Sequence, residues 1–410
     1  MPSGLMRKLN AMRANPTPAA KPSPRALVTR VSSFPADRRL FSLSPTALRR
    51  MGYVGRNFDI RRALFIDTET TGLSGGAGTV AFLVGVGFVQ GGIFTVEQYL
   101  MPDYAGEPAL LARLAEKLPD YDTAVHFNGR TFDMPLLHSR FVLQRMENLW
   151  KEMDQLDLLI PARRLWKLRL GSCRLSSLEE KVLGIPRGED IPGSEIPGRY
   201  FEAVKTGSLA GLEDVISHNR QDIVTLSSLL CVLAERFERP EDAQETMDLF
   251  SLGKALEKQG EIRQARRLYH IAATPRPIRS ARDLAGEKYA GEANWRLFRI
   301  YRREGRYDDA EKALKSMLRR GQMGRVPKLE LCKLYEHRMK RYPEALEIAR
   351  ELVEVCPPSE RAELQKREAR IKQKMQKSGG EPHVVFHQVQ GTQGLPGAHS
   401  GQPADRKGRD

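Results

Sequence analysis

The sequence predicts an α/β protein in which a mixed β-sheet flanked by helices is followed by an all-α region. Between residues 63 and 145, apolar strand-like runs and helical segments follow one another in the order β-β-β-α-β-α, which is typical of a mixed sheet with helices on its faces. After residue 245, a helical pattern repeats itself. We therefore expect two structured regions of different class.

Three strands open the α/β region. The run ALFID, which begins at Ala63, indicates a buried strand, and two further runs form a hairpin that turns at Gly91 and Gly92. The remaining predicted elements are, in order, helix 107–117, strand 123–127, helix 135–145, short helix 175–183, a Pro/Gly-rich loop 185–198 and a long helix 212–238. Pro240 ends that last helix.

Three stretches of the C-terminal half can be laid over one another. They are residues 252–273, 297–318 and 331–352, and they place Ala265, Ala310 and Ala345 at equivalent positions. Small residues there let two antiparallel helices approach closely, and the spacing resembles that of tetratricopeptide repeats with an insertion in the 275–288 region. An ordinary helical bundle is the alternative. A charged helix, 359–376, would cap the stack.

The formal net charge is +15, and most of the excess lies near the start of the chain. Residues 1–62 contain thirteen Lys and Arg against two acids. We expect a disordered basic arm over 1–58 that attracts polyphosphate without reading its sequence, or else a solubilising tail that binds nothing in particular. The α/β domain would span 59–240 and the helical repeats 245–377, and the Gly/Pro/His/Gln-rich segment 378–410 indicates a disordered tail.

Composition narrows the class of protein. A chain of 410 residues with 40% hydrophobic and 29% charged residues is typical of a soluble globular protein with more than one domain. No run of eighteen or more apolar residues occurs, which argues against a membrane-spanning helix. The four cysteines form no C-x-x-C pair or compact disulfide framework. These features predict a cytoplasmic protein.

The strongest local signal is FIDTETTGL, residues 65–73. Asp67 and Glu69 share one face, because residues i and i+2 of a strand point the same way. Two carboxylates that close repel each other unless a cation lies between them, and oxygen ligands without sulfur favour Mg²⁺ or Mn²⁺. A strand-end turn with solvated acids is the alternative.

A second segment, HFNGRTFDMPLL, places Asp133 at the start of a predicted helix near the sheet edge. The structural alternative for Asp133 is a helix cap. The Asn-x-x-x-Phe-Asp spacing sets the amide of Asn128 beside this carboxylate, where it can contact a substrate phosphate or sugar, although Asn-Gly also favours a turn.

A third segment, HNRQD, lies inside the long helix. His218 and Asp222 are one turn apart on one helical face, and a polar pair near an apolar stripe needs a reason. A catalytic pair is one reason, and an intrahelical hydrogen bond is the other.

Basic residues near these segments are candidate nucleic-acid contacts. Arg130 and Arg220 are placed for phosphate, with solvated surface arginines as the alternative. The run 163–174 carries five Lys and Arg around Trp166, which suits phosphate contacts with base stacking on the indole. A helix with a basic exposed face and buried Leu165, Trp166 and Leu168 is equally consistent.

Together the three segments resemble the DEDD superfamily of 3′–5′ exonucleases, which has D-x-E, then N-x-x-x-F-D, then an aromatic residue or His before a final Asp. More narrowly, FIDTETTGLSGGAGTVAFLVGVG, FNGRTFDMPLL, LDLLIPARRLWKLRLGSCRLSSLE and HNRQDIVTL are similar to the YprB-type ribonuclease-H-like proteins of bacteria, which often carry tetratricopeptide repeats. The resemblance covers about residues 60–236 and, loosely, the repeats. It implies a ribonuclease-H-like fold.

The resemblance also implies a nuclease that hydrolyses phosphodiester bonds of DNA or RNA, favouring a single strand or a 3′ end, with two Mg²⁺ or Mn²⁺ ions. Asp67 would bridge both ions, Glu69 and Asp222 would complete one shell, and Asp133 would serve the other. His218 would accept the proton of the attacking water.

One departure concerns His218, which lies four residues before Asp222. In this superfamily a histidine is usually five residues before the final Asp, and a tyrosine four, so the histidine stands at the tyrosine position. A different class of function is also open: a nucleic-acid-binding or protein-interaction adaptor with a residual nuclease site, which binds its partner through the helical repeats.

Overall fold

The computed structural model describes residues 26–55, 57–72, 78–147, 149–186 and 191–379. The described chain forms two compact units, the first ending at Arg306 and the second beginning at Tyr307. The expected disordered tail lies outside the described residues except for Ser378 and Gly379.

Unit 1 contains a six-stranded sheet. Its strands are β1 (Val28–Pro35), β2 (Ala63–Thr70), β3 (Ala81–Gln90), β4 (Ile93–Leu100), β5 (Thr123–His126) and β6 (Asp154–Asp157). They are ordered β1-β4-β3-β2-β5-β6. The first four are antiparallel neighbours, whereas β2, β5 and β6 pair in parallel. The predicted mixed sheet is confirmed.

Helices lie between and after the strands in the sequence. They are α1 (Pro45–Met51), α2 (Glu107–Lys117), α3 (Asp133–Leu143), α4 (Leu159–Leu170), α5 (Leu175–Leu178, continued by a π-turn Glu179–Leu183), α6 (Ile196–Thr206) and α7 (Glu213–Glu238). Helix α7 crosses β2, β3 and β4. Two glycines of β3 allow this close approach: a Cβ at Gly87 would lie 2.6 Å from Cγ2 of Ile223 on α7.

The centre of the core lies in β3. Nine of its ten residues are buried, and only Gln90 is exposed. A strand buried on both faces loses the alternation of apolar and polar residues and becomes a continuous apolar run, as residues 81–89 are. Because its neighbours β2 and β4 share this burial, the acids at the end of β2 rest on a rigid support.

The expectation of a disordered arm over residues 1–58 is wrong for the part that the structure describes. Strand β1 pairs with β4, and α1 packs on α7 through buried Leu48 and Met51. Most side chains of β1 are exposed, so backbone hydrogen bonds to β4, rather than an apolar pattern, hold this edge strand. Residues 1–25 lie outside the described residues.

Helices follow the sheet, as predicted. Unit 1 continues with α8 (Thr246–Lys258), α9 (Ile262–Ala273) and α10 (Ala281–Arg303), and unit 2 contains α11 (Tyr307–Arg319), α12 (Val326–Leu334, continued by a π-turn Tyr335–Met339), α13 (Tyr342–Val355) and α14 (Pro358–Lys377). Ala265, Ala310 and Ala345 are fully buried, as close helix packing requires.

The division between the units differs from the expected one. It falls at residues 306/307, inside the second predicted repeat, rather than near residue 240. Helices α8, α9 and α10 pack on one another, and α8 also packs on α4, which explains why they group with the sheet. Tetratricopeptide-like repeats remain a prediction. No helix among the described residues combines the length and the apolar character needed to cross a membrane.

A buried carboxylate holds unit 2 together. Glu336 is 1% exposed and accepts hydrogen bonds from Arg367 (2.8 Å), Arg370 (2.7 Å) and Lys374 (2.9 Å) of α14. Burial alone would raise the pKa of Glu336, but the bonds from Arg370 and Lys374 outweigh it and lower that pKa to about 2. Glu336 therefore stabilises the fold above the ordinary glutamate range and loses this effect as the pH falls toward 2.

We expect Glu336→Gln to lower the free energy of unfolding at pH 7 by about 3 kcal/mol, because three cations would lose their buried partner. The difference from wild type should shrink between about pH 4.5 and pH 2, where the wild-type carboxylate becomes protonated. Urea unfolding of the full chain at several pH values measures this. Glu347→Gln, at an exposed position of α13, is the control, and equal stability of the two variants would contradict the prediction.

Candidate active site

Two of the predicted acids lie on the same face of β2. Asp67 and Glu69 are partly buried and alternate with Thr68, which is 9% exposed on the opposite face. Asp67 is paired across the sheet with Gly85 of β3, and Glu69 with Leu83. The pairing shifts between Glu69 and Thr70, where the strand leaves the regular sheet. The acid-x-acid segment therefore ends the regular part of the strand, as predicted.

Helix α7 brings the third segment to these acids. The Nε2 atom of His218 lies 3.8 Å from Oε1 of Glu69 and 3.6 Å from Oδ2 of Asp222. The side chains of all three are at most 13% exposed. An imidazole between two carboxylates links residues that are about 150 positions apart in the sequence. An intrahelical contact with Asp222 is present, but it is not the only contact of His218.

The second segment reaches β2 from its other face. Asp133 is the first residue of α3, is 6% exposed, and accepts a hydrogen bond from the hydroxyl of Thr68. Phe132, not Asp133, occupies the cap position, so the simple capping explanation of this aspartate does not hold. Asp133 is instead tied to the residue between Asp67 and Glu69.

Burial raises the pKa values of two of these acids, Asp67 and Asp133, and neighbouring negative charges add to the effect. Burial comes first for Asp67, and the negative charges of Asp222, Glu69 and Asp133 add to it, so its pKa lies well above the ordinary range. Burial raises the pKa of Asp133 to about 6, against the opposing hydrogen bond from Thr68. Negative charge held together in this way is relieved by a bound cation.

The donor set suits a hard divalent cation. Four carboxylates supply oxygen atoms without sulfur, which is the chemistry that Mg²⁺ and Mn²⁺ prefer. Among the described residues, no three His, Cys, Asp or Glu side chains already stand in an arrangement that could hold a metal ion. The four carboxylates suit Mg²⁺ or Mn²⁺ because they are oxygen donors and because a cation would relieve their repulsion. Binding of the metal at these residues is a proposal.

A residue that the sequence reasoning missed holds Asp67 in place. Asn219 of α7 is completely buried, and its Nδ2 donates to Oδ2 of Asp67 at 2.8 Å and to the Asp67 carbonyl at 3.2 Å. Its Oδ1 accepts from Nε2 of Gln98 at 2.9 Å, and Gln98 also donates to the Ile216 carbonyl at 2.8 Å. The amide therefore has partners on both sides, and its orientation is fixed.

Gly85 makes room for this amide. The pairing of the strands puts Asp67, Gly85 and Gln98 in one row across β2, β3 and β4. A Cβ at Gly85 would lie 2.2 Å from Oδ1 of Asn219, closer than real contacts allow. The sequence signal was a glycine inside an apolar strand, which often marks the close approach of another group.

The loop after β5 is held by Asp157. Its Oδ1 accepts the backbone N–H of Asn128 at 2.9 Å and that of Leu159 at 3.0 Å. Asn128 itself has a φ of +67°, and its side-chain oxygen accepts a hydrogen bond from Thr131. Asn128 therefore shapes the turn, and it is exposed to the solvent.

Of the residues predicted to contact nucleic acid, the two arginines are exposed and the tryptophan is buried. Arg130 and Arg220 are exposed, and Arg220 donates to Ser217 at 3.2 Å. Trp166 is 2% exposed, so the prediction of base stacking on its indole is wrong. With Leu165 it belongs to the buried side of α4, whereas Leu168 is 36% exposed.

Comparison with known proteins agrees with this architecture. The model of the RNase_H superfamily matches residues 64–234, which contain all four acids and His218. The chain is 31% identical over 331 residues to the uncharacterized protein YprB of Bacillus subtilis (strain 168), an alignment that covers 78% of this chain and 76% of that protein.

Proposed function

Since this chain belongs to the RNase_H superfamily, in the family that includes YprB, we propose that it is a nuclease that hydrolyses phosphodiester bonds of DNA or RNA with divalent metal ions. We further propose that it acts as a 3′–5′ exonuclease. One observation carries the proposal: His218 lies within 4 Å of both Glu69 and Asp222, so the first and third segments form one site.

The ions would be held by Asp67, Glu69, Asp133 and Asp222. When bound, Mg²⁺ or Mn²⁺ would supply positive charge that stabilises the attacking and leaving oxygens. Asn219 and Gln98 would keep the Asp67 carboxylate in one orientation, and the Thr68 hydroxyl would do the same for Asp133. These hydrogen bonds reduce the rearrangement that binding and reaction require.

His218 is the proposed general base. Its Nε2 faces two carboxylates, and these stabilise the imidazolium that forms when the ring accepts a proton from water. His218 lies one helical turn before Asp222, at the position that a tyrosine occupies in the superfamily. From this position its ring reaches Glu69 at 3.8 Å. Arg130, in the loop before Asp133, and Arg220, which follows Asn219 on α7, are exposed, and we propose them as phosphate contacts.

The site geometry favours an enzyme over an adaptor with a residual site. A chain that no longer needed the site would have no reason to retain the hydrogen bonds to Asp67, because a charged carboxylate beside other acids destabilises the fold when no cation is bound. In either case a protein partner would bind through the C-terminal helices, as their resemblance to tetratricopeptide repeats implies.

The proposal is tested with single-stranded DNA and RNA labelled at the 5′ or the 3′ end. With Mn²⁺ we expect mononucleotides to be released first from the 3′-labelled strand, and a descending ladder from the 5′-labelled strand. Chelation of the metal should stop both reactions. Product formation that is unaffected by chelation, or equally fast with an Asp67→Asn protein purified in parallel, would contradict it. If only internal fragments formed, the enzyme would be an endonuclease rather than an exonuclease.

A further inference from the structure

A basic groove lies between α4 and α8, apart from the four acids. Its volume is about 430 Å³, and it is lined by the side chains of Arg163, Arg164, Lys167, Leu168, Ser251, Lys254, Ala255, Lys258 and Gln259. Five of these nine residues are cations and none is an acid. All five cations are exposed. The groove therefore presents positive charge to the solvent along two helices.

The charges of the groove are not neutralised within the protein. Among the described residues, no carboxylate lies within ion-pair distance of the five cations of the groove. Arg164 donates to the Met51 carbonyl at 3.2 Å and Lys167 to the Gly171 carbonyl, and both acceptors are uncharged. Lys254 lies over the ring of Phe250. Like charges on neighbouring helical turns repel, so this arrangement is costly without an external anion.

Three carboxylates of α8 and the turn after it bind partners other than the groove cations. Asp248 binds Arg169 at 2.9 Å, Glu257 accepts from Tyr269 at 2.7 Å, and Glu261 binds Arg50 at 2.7 Å. Their separate pairing leaves the groove uniformly positive, and it also fixes the two helices that form the walls.

The lining of the groove also includes Ser251. Ser251 is 4% exposed, and its hydroxyl has no hydrogen-bond partner among the described residues. A buried hydroxyl without a partner is uncommon in a native protein and calls for one. Hydroxyl groups beside Lys and Arg side chains are a frequent combination at phosphate contacts.

The groove starts close to the proposed active site. Asp157 binds the N–H of Leu159, the first residue of α4, and the same carboxylate oxygen binds the N–H of Asn128, in the loop that leads to Asp133. Arg163 and Lys167 follow four and eight residues later, which is about 6 and 12 Å along the helix. A strand that leaves the site along α4 would meet these cations within a few nucleotides.

We propose that the α4–α8 groove binds the sugar–phosphate backbone of the substrate strand away from the scissile bond. This deepens the proposed nuclease function and rests on it. The occupant is a nucleic acid rather than a small anion, because five cations spread over two helices match a row of phosphates. Contacts of this kind bind any sequence, and their strength depends on salt.

The test separates binding from hydrolysis. The variant Lys254→Ala/Lys258→Ala removes two exposed cations from α8, and Lys205→Ala/Lys366→Ala removes two exposed cations elsewhere. Binding of fluorescein-labelled oligothymidylate and oligouridylate is measured in EDTA over a range of salt concentrations. We expect the groove variant to bind about tenfold more weakly at low salt and its salt slope to fall by about 1.4, because about 0.7 is lost for each phosphate contact to a single strand.

Hydrolysis of the p-nitrophenyl ester of thymidine 5′-monophosphate provides the second measurement, since this ester is too short to reach the groove. The groove variant should hydrolyse it at the wild-type rate. The proposal would be overturned if the groove variant had the same affinity and salt slope as the control variant. It would also be overturned if polyglutamate displaced the labelled strand from the wild type as well as an unlabelled strand does. If the wild type binds strands through the groove but hydrolyses nothing, the proposed function fails and the groove assignment stands.

Discussion

Replacing Asp67 with asparagine is expected to reduce hydrolysis by about 10³-fold or more while the protein stays folded. Asn keeps the size of the side chain and an oxygen that can accept the hydrogen bond from Asn219, so the network around it can persist. What is lost is one negative charge at the centre of the proposed metal site. A loss of 4 kcal/mol or so in stabilisation of the transition state corresponds to about three powers of ten in rate.

The same variant should be at least as stable as wild type when no metal is present. Asp67 is buried beside the negative charges of Asp222, Glu69 and Asp133, and its pKa is raised for these reasons. Removing a charge that is repelled by its neighbours relieves the fold. Adding Mn²⁺ should then raise the melting temperature of wild type more than that of Asp67→Asn, because bound ligand stabilises only the form that binds it.

The rate of 3′-end release, measured beside thermal melting with and without Mn²⁺, checks both halves of this prediction. Asp120→Asn changes an exposed aspartate by the same chemistry and should leave activity and metal response unchanged. An Asp67→Asn protein that is folded and still as active as wild type would exclude Asp67 from the reaction. A variant that is inactive because it is unfolded would show a lower melting temperature in EDTA.

Elements with a strong apolar period were predictable from the sequence. The hairpin turn at Gly91 and Gly92, helix α2 and helix α7 all lie within one residue of their predicted bounds. These segments bury one clear face, or both faces, in the core, and burial is the physical origin of the periodic signal. The mixed sheet followed from their order.

Elements without that signal were missed. Strand β1 is exposed on most of its length, and β6 has only four residues, so neither shows a period that separates it from a loop. Helix α4, which the sequence offered only as one of two alternatives, carries four Lys and Arg, and its burial depends on α8, far away in the sequence. Long-range pairing of this kind is not readable from a single segment.

The acids were readable because their spacing follows the geometry of strands and helices. Asp67 with Glu69 and His218 with Asp222 are separated by two and four positions, which place each pair on one face. Trp166 was ambiguous for the opposite reason: an indole among cations suits both a stacking surface and a buried helix face. Only tertiary packing, with 2% of the residue exposed, decides between these two.

Gly85→Ala is expected to lower activity by about 10- to 100-fold without touching any acid. The new Cβ would lie 2.2 Å from Oδ1 of Asn219, and Asn219 is fully buried, so the amide must move away from Asp67 and Gln98. Asp67 would then lose the hydrogen bond that fixes its carboxylate. We expect a lower kcat and a higher Mn²⁺ concentration for half-maximal activity, with little change in KM.

A double-mutant cycle separates this positioning effect from general disturbance of the sheet. Asn219→Ala should cause a similar loss, because it removes the same hydrogen bond and frees the space that a Cβ at position 85 needs. If Gly85 acts through Asn219, the double variant should be no worse than Asn219→Ala alone, whereas independent effects multiply. Gly211→Ala, at a glycine whose added Cβ would meet nothing within 4 Å, is the control. Losses that multiply, or a change in KM alone, would show that Gly85 matters only for packing. Wild-type activity of Asn219→Ala would show that Asp67 holds its position without the amide.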